Sequence, residues 1–245
     1  MPFESAYLSI PERVELMNFR YRNHAAIPVL SATLGDPFLG KIAMVSSFGA
    51  ESVVLLHLVS LIKPQTPVIV IDTEMLFPET LEYQAELAEE LQLQDVRIIK
   101  AKPEDITAID PDGTLHQSDP DACCGLRKTA PLHDALEGFD AWITGRKRFQ
   151  NGQRTALELF ETDTDHRFKI NPLAHWRAQD LTAYMENNAL PRHPLVAKGY
   201  PSIGCAPCTS PVKSGEDARS GRWRGQKKVE CGIHFGADGA VERRV

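Results

Sequence analysis

From Lys41 to Thr144 the chain falls into short apolar blocks separated by polar turns. Ile42-Ala43-Met44-Val45-Ser46 is an apolar run that enters a Ser/Gly-rich stretch. Val68-Ile69-Val70-Ile71-Asp72 is a second, β-branched run, bounded upstream by Pro64 and Pro67. Both predict strands, and Val96 to Ile99 and Ala141 to Thr144 predict two more. AESVVLLHLVSLI, between the first two runs, is apolar on nearly every face, as expected of a helix packed on a sheet and covered from outside. From Pro78 to Gln92, Tyr83, Leu87 and Leu91 recur at i+4 and acidic residues fill the other positions, which predicts a second helix with one apolar stripe. Eight acidic residues and no Lys or Arg lie between Asp72 and Asp95, the pattern of a solvated helix face. Strands alternating with helices imply right-handed crossovers and a parallel sheet, with ligands beyond the carboxyl ends of the strands. The expected fold class is α/β.

The texture changes after about Arg167. A helix is predicted around Ala178 to Asn188, followed by PRHPLVAKGYPSIGCAPCTSP, too rich in Pro and Gly for much regular structure. The expected organisation is an N-terminal helical segment over 1–40, with a helix or two around Val14 to Asn23, one α/β domain over 41–234, and a flexible tail over 235–245. Lys+Arg 27 against Asp+Glu 33 gives a net charge of −6, which argues against a general nucleic-acid or membrane-surface binder. The opening MPFESAYLSIPERVELM lacks the basic-then-apolar layout of a signal peptide, so a cytoplasmic location is expected. In that compartment cysteines bind metal or do chemistry more often than they form disulfides.

Three features carry candidate chemistry. Ser46-Ser47-Phe48-Gly49-Ala50-Glu51-Ser52 joins the first strand to the buried helix. Gly49 suits a tight turn there, and the hydroxyls of Ser47 and Ser52 beside free N–H groups suit a phosphate, or simply cap the helix. The loop matches neither the GxxxxGK[ST] nor the GxGxxG pattern. Asp72-Thr73, at the end of the next strand, falls on the same rim and can accept from ribose or base, or cap a helix. The second feature is the cysteines: Cys123-Cys124 are adjacent, Cys205 and Cys208 form a CxxC, and Cys231 stands alone in KKVECGIH. Four thiolates suit an iron–sulfur cluster, zinc or a redox dithiol; adjacent cysteines reach separated corners of a cluster with less strain than they reach one small ion. Lys227 and Lys228 before Cys231 and His234 after it favour its thiolate, the nucleophilic form. Third, positive charge gathers at Arg127, Lys128, Arg146, Lys147, Arg148 and Arg154, and again at six bases from Lys213 to Lys228. Guanidinium forks match phosphate and sulfate oxygens in pairs.

Taken together, SFGAES (Ser47 to Ser52), CCGLRK (Cys123 to Lys128), TGRKRFQNGQR (Thr144 to Arg154), GYPSIGCAPCTSP (Gly199 to Pro211) and ECGIH (Glu230 to His234) resemble the assimilatory adenylyl-sulfate and phosphoadenylyl-sulfate reductases of the adenine-nucleotide alpha-hydrolase (PP-loop) group. The paired CC and CxxC are similar to the branch that carries a [4Fe-4S] cluster and reduces adenylyl sulfate. The resemblance implies that Cys123, Cys124, Cys205 and Cys208 hold the cluster and that Ser47, Phe48, Gly49, Ala50, Glu51 and Ser52 hold the nucleotide. It implies further that Asp72, Thr73 and Gly145 border the adenosine, and that Lys128 lies between cluster and substrate. Arg146, Arg148 and Arg154 would belong to an arginine-rich loop, with Arg219, Arg222 and His234 gripping the phosphosulfate. Cys231 would be the nucleophile, forming an S-sulfonate that a thioredoxin or glutaredoxin-like partner resolves to sulfite. Glu74 departs from the pattern, which often has Gly after the Asp-Thr pair. A homo-oligomer is compatible with the resemblance. The alternatives are phosphoadenylyl-sulfate reduction, an ATP pyrophosphatase-type PP-loop activity, which SFGAES fits poorly, and a nucleotide-binding redox sensor.

Overall fold

A computed structural model describes residues 8–150, 154–226, 228 and 230 of the chain. The expected tail, 235–245, lies outside the described residues. Strands β1 (Ile42–Val45), β2 (Val68–Ile71), β3 (Val96–Ile99) and β4 (Ala141–Ile143) form where the apolar runs predict them. Among the described residues they join β5 (Phe160–Thr162) and β6 (Phe168–Ile170) in one sheet of order β3-β2-β1-β4-β6-β5. All neighbours pair parallel except β5, which runs antiparallel to β6 and adds an edge that the parallel expectation did not include.

The pleat sends alternate side chains to opposite faces. Met44, Val68, Val70, Ala141 and Ile143 enter the large core shared with α2 (Ala26–Gly35), α3 (Ser52–Ile62), α4 (Pro78–Glu90) and α9 (Ala178–Asn187). Ala43, Ile69 and Trp142 point the other way, onto Leu132 and Leu136 in and just after α8 (Ala130–Ala135). Helix α3 buries Val53, Val54, Leu55, Leu56, Leu58 and Val59. Burial nearly all round explains its lack of a polar face. The expected N-terminal helix is α1 (Ile10–Tyr21), whose Asn18 side chain accepts from the Phe160 amide at 2.9 Å and donates to its carbonyl at 2.8 Å, tying the helix to β5.

Strand order also places the site. The chain steps from β1 to β2 to β3 in one direction. It then returns through α5 (Pro103–Ile109), α6 (Leu115–Ser118), α7 (Pro120–Cys124) and α8, and lays β4 on the far side of β1. At such a reversal the loops leaving adjacent strands diverge and open a crevice beyond their carboxyl ends. Here those loops are 46–51 after β1 and 144–148 after β4.

Candidate functional site

A cleft of about 220 Å³ occupies that crevice. Ser47, Gly49, Ala50, Glu51 and Ser52 line one wall. Helix α3 begins at Ser52, and its N-cap residue Glu51 makes no side-chain cap, so the first backbone N–H groups stand at the cleft with the positive end of the helix dipole. The turn itself corrects two expectations. The left-handed backbone falls at Phe48 (φ 47), not at Gly49. Consequently the Phe48 ring is driven fully into the core and does not line the cleft with its neighbours. A Cβ on Gly49 would meet Ser47 Oγ at 3.4 Å and the Ile203 carbonyl at 3.6 Å, ordinary contacts, so the glycine leaves room in the cleft rather than relieving the backbone. Gly145 lines the opposite wall.

Six cations line the same cleft: Lys128, Arg146, Lys147, Arg154, Arg219 and Arg222. Each reaches it from a braced position. Arg146 pairs with Glu161 and also donates to Asn171 Oδ1 at 3.2 Å; Lys147 pairs with Glu51 at 2.6 Å. Burial pulls the Lys147 ammonium below its usual range, against the opposing charge of Glu51. Arg222 donates to the Ile203 carbonyl at 3.2 Å and stacks 4.4 Å above the buried Trp223 ring. It crosses directly over Gly204, where a Cβ would lie 2.2 Å from its Nη2, so that close approach requires glycine. Arg154 and Arg219 both face Glu230, which also lines the cleft. Arg148 turns away: it donates to the Leu157 carbonyl at 2.7 Å and borders a more open neighbouring hollow.

Beside this cleft lie the four cysteines, all without disulfides, with Cys123, Cys124 and Cys205 buried and Cys208 partly so. The Asp119 side chain caps α7 by accepting from the amides of Asp121 and Ala122 at 3.0 and 2.9 Å. After Cys124 the helix widens into a π-turn over Gly125–Thr129 before resuming as α8. Such turns concentrate at functional sites. The CxxC folds as one 3₁₀ turn, Ala206–Cys208, and is sewn to the segment between β2 and α4: Ala206 N–H donates to the Met75 carbonyl at 2.7 Å, and Cys205 bridges Leu76. Burial pushes the Cys123 thiol up to about 11, and the neighbouring sulfurs push the same way. At Cys205 burial also opposes the thiolate, but the Lys128 ammonium, the Thr73 hydroxyl and Arg222 outweigh it and hold the thiol below its usual value. Lys128 thus touches both the sulfurs and the cleft. No three of the described His, Cys, Asp and Glu side chains are disposed to hold a single metal ion.

Asp72 and Thr73, expected at the adenosine, do not line the cleft. The Thr73 hydroxyl lies 3.2 Å from Cys205 Sγ, and Asp72 accepts the Glu74 amide at 2.8 Å and pairs with Lys100 at 3.3 Å. Glu74 occupies left-handed backbone (φ 59), a conformation glycine adopts freely, which gives a physical basis for the Gly usual in the resembling family. Cys231 and His234 lie outside the described residues. Lys147, Gln150, Trp223 and Glu230 line the cleft without having been assigned a site role from the sequence. The advance signals were the TGRKRFQNGQR motif for Lys147 and Gln150, with the basic run for the former, and the ECGIH motif for Glu230.

Residues 41–211 match the phosphoadenosine phosphosulfate reductase domain. An adenosine 5'-phosphosulfate reductase of Mesorhizobium japonicum is 49% identical over 215 residues, 88% of this chain and 84% of that protein. The protein of the same name in Chelativorans sp. is 51% identical over 196 residues, 80% of each. A phosphoadenylyl-sulfate reductase from Candida auris, solved as a phosphate complex, superposes with a TM-score of 0.69 at 29% identity, covering 82% of this chain and 97% of that one.

Proposed function

The chain belongs to the phosphoadenosine phosphosulfate reductase family, and on that premise we propose that it reduces adenylyl sulfate to sulfite and AMP in sulfate assimilation, with a thioredoxin-type dithiol as reductant. The observation that carries the reading is the convergence of six cations and a helix N-terminus on one cleft at the β1/β4 crevice. A phosphosulfate anhydride is a compact anion that needs this much positive charge. The names borne by the Mesorhizobium and Chelativorans relatives favour adenylyl sulfate over its 3'-phosphorylated counterpart.

In this reading Ser47, Ser52 and the first amides of α3 receive the nucleotide's phosphate end, and Gly49 and Gly145 leave room for it. Arg146, Arg154, Arg219 and Arg222 neutralise the phosphosulfate, so charge that develops on AMP as it departs is stabilised by donors already held in place. The nucleophile is Cys231. Its thiolate attacks the sulfate sulfur, the S–O bond to AMP breaks with its electron pair leaving on AMP, and a Cys231 S-sulfonate forms. A reductant thiolate then attacks the Cys231 sulfur, expels sulfite, and leaves a mixed disulfide that the partner's second thiol resolves, supplying two electrons in all. His234 adds to the grip on the anion.

The donor set of Cys123, Cys124, Cys205 and Cys208 fits an iron–sulfur cluster: four thiols, none in a disulfide, gathered from two segments beside cationic Lys128. They are the residues that hold a [4Fe-4S] cluster in this reading. When bound, the cluster would supply a fixed charge at these sulfurs, with the Lys128 ammonium standing between it and the sulfate. Lys128 itself orients the anion from the cysteine side of the cleft.

The test is direct. Anaerobically purified protein given adenylyl sulfate without reductant should gain the mass of one SO₃ group, and Cys231→Ser should not; adding reduced thioredoxin should release sulfite equal to AMP. Absence of the adduct in the unsubstituted protein, or sulfite release by Cys231→Ser, overturns the assignment.

A further inference from the structure

We propose that Glu230 is an internal anion that competes with the substrate for the arginines of the cleft, so that binding is an exchange of its carboxylate for phosphosulfate. This deepens, and rests on, the function proposed above.

One oxygen of Glu230 accepts from Arg154 Nη2, and the other lies 3.6 Å from Arg219 Nη2. Both guanidinium groups and the carboxylate line the cleft. The pair is largely shielded, with the Arg154 side chain 10% and the Glu230 side chain 18% exposed, so its charges attract more strongly than in water. A carboxylate offers two oxygens on one centre, the same face that phosphate and sulfate present to a guanidinium fork. The cleft's other lining acid, Glu51, has a different task. It accepts from Lys147 at 2.6 Å and from Gln150 at 3.1 Å at the start of α3, bracing one wall of the cleft against the other. Glu230 instead comes from a segment late in the chain, and Cys231 follows it directly.

Charge arithmetic favours the exchange. Phosphosulfate brings two negative charges where Glu230 brings one, and it draws on Arg146 and Arg222 as well. The intramolecular carboxylate nevertheless competes for Arg154 and Arg219 at every encounter, and apparent affinity falls by the fraction of molecules in which it sits between them. Because the displaced carboxylate is one peptide bond from Cys231, arrival of the anion and release of the nucleophile's neighbour are a single event. Glu230 is therefore a positioning residue. Its removal acts on affinity in the direction opposite to loss of a substrate contact.

The test uses adenylyl sulfate itself, titrated calorimetrically into the Cys231→Ser protein, which binds without turning over. Adding Glu230→Gln should tighten binding about five- to thirtyfold, whereas adding Arg219→Ala should weaken it. Glu230→Asp, which keeps the charge but shortens its reach, should tighten binding less and serves where the Gln variant melts early. Glu216→Gln, whose carboxylate pairs with Arg224 away from the cleft, should leave affinity unchanged. In otherwise unsubstituted enzyme Glu230→Gln should lower KM by a similar factor. Unchanged or weaker binding in both Glu230 variants overturns the exchange and leaves the reductase reading standing. A Cys231→Ser protein that does not bind adenylyl sulfate at all overturns both.

Discussion

The buried pair Asp110–Arg127 lends itself to a quantitative prediction because everything it supports lies next to the cysteines. Asp110, just after α5, accepts from Arg127 at 2.8 and 3.1 Å and from the Leu115 amide at 2.9 Å. Arg127, in the π-turn, passes the constraint to the Thr73 carbonyl at 3.1 Å, and the Thr73 hydroxyl touches Cys205. Asp110→Asn keeps the shape and an acceptor for Leu115 but leaves a guanidinium whose side chain is 6% exposed without its counter-charge. Stranding a buried charge in this way costs about 3–5 kcal/mol. Against a total stability of about 5–15 kcal/mol, that is a large share, and it corresponds to a melting point roughly 6–20 °C lower for a chain of this size. The pH dependence has a definite sign. Burial opposes the ionised Asp110 carboxyl, but the Leu115 amide and Arg127 outweigh it and hold its pKa below the usual value. The stabilisation is therefore complete above the unfolded-state pKa of about 3.9 and disappears as pH falls through the lower folded value. Urea denaturation of both proteins at neutral pH and at a series of acidic pH values measures the gap. A loss under about 1 kcal/mol at neutral pH, or a gap that does not narrow on acidification, refutes the argument.

Two further outcomes follow from close contacts around the cleft. Gly204→Ala puts a methyl group 2.2 Å from Arg222 Nη2 and must displace that guanidinium from the Ile203 carbonyl; KM for adenylyl sulfate should rise about tenfold, the equivalent of one charge-assisted hydrogen bond, while the melting temperature holds. Steady-state kinetics and a thermal melt check this together. Lys169, 2% exposed and 4.8 Å from the Trp142 ring, is pushed down to about 7 by burial and then by Arg146. Between that value and the unfolded lysine's pKa of about 10.4 the unfolded chain binds a proton that the folded one does not, so stability should rise with pH across this window. Lys169→Met should abolish the rise, as measured by urea midpoints at several pH values.

The framework of the fold was legible because β2 is a β-branched run bounded upstream by proline, β1, β3 and β4 are short apolar-rich runs between polar turns, and α3 is a helix apolar on nearly every face. The antiparallel edge was not. β5 (FET) and β6 (FKI) each carry a charged residue at their centre, so no apolar run marks them as AWI marks the equally short β4, and they follow a stretch where turns dominate. At the site, composition alone pointed to the cations and the cysteines, since few other roles gather so many of each. Direction was lost. Nothing in SFGAES says that Phe rather than Gly takes the left-handed turn, because the ring's place in the large core is settled by tertiary packing and not by the local letters. Asp72-Thr73 likewise reads as a rim acceptor until the bridge between Leu76 and Cys205 turns the threonine toward sulfur. Arg148 and Arg146 are indistinguishable as letters; β5 gives Arg146 a carboxylate at Glu161, and the segment just before it gives Arg148 a carbonyl at Leu157.

The wide turn at Gly125–Thr129 makes chain length there a functional variable. A regular helix advances about 100° per residue, so deleting one position between Cys124 and Ala130 would restore ordinary winding and swing Lys128 about a quarter of the way round the axis, off both sulfur and anion. Substitutions at Gly125, Leu126 and Thr129, which carry neither the Asp110 pair nor the contact to sulfur, should leave the alignment standing, whereas a single-codon deletion should break it outright. Homologous genes are thus expected to vary in the letters at those three positions far more readily than in the length of the segment.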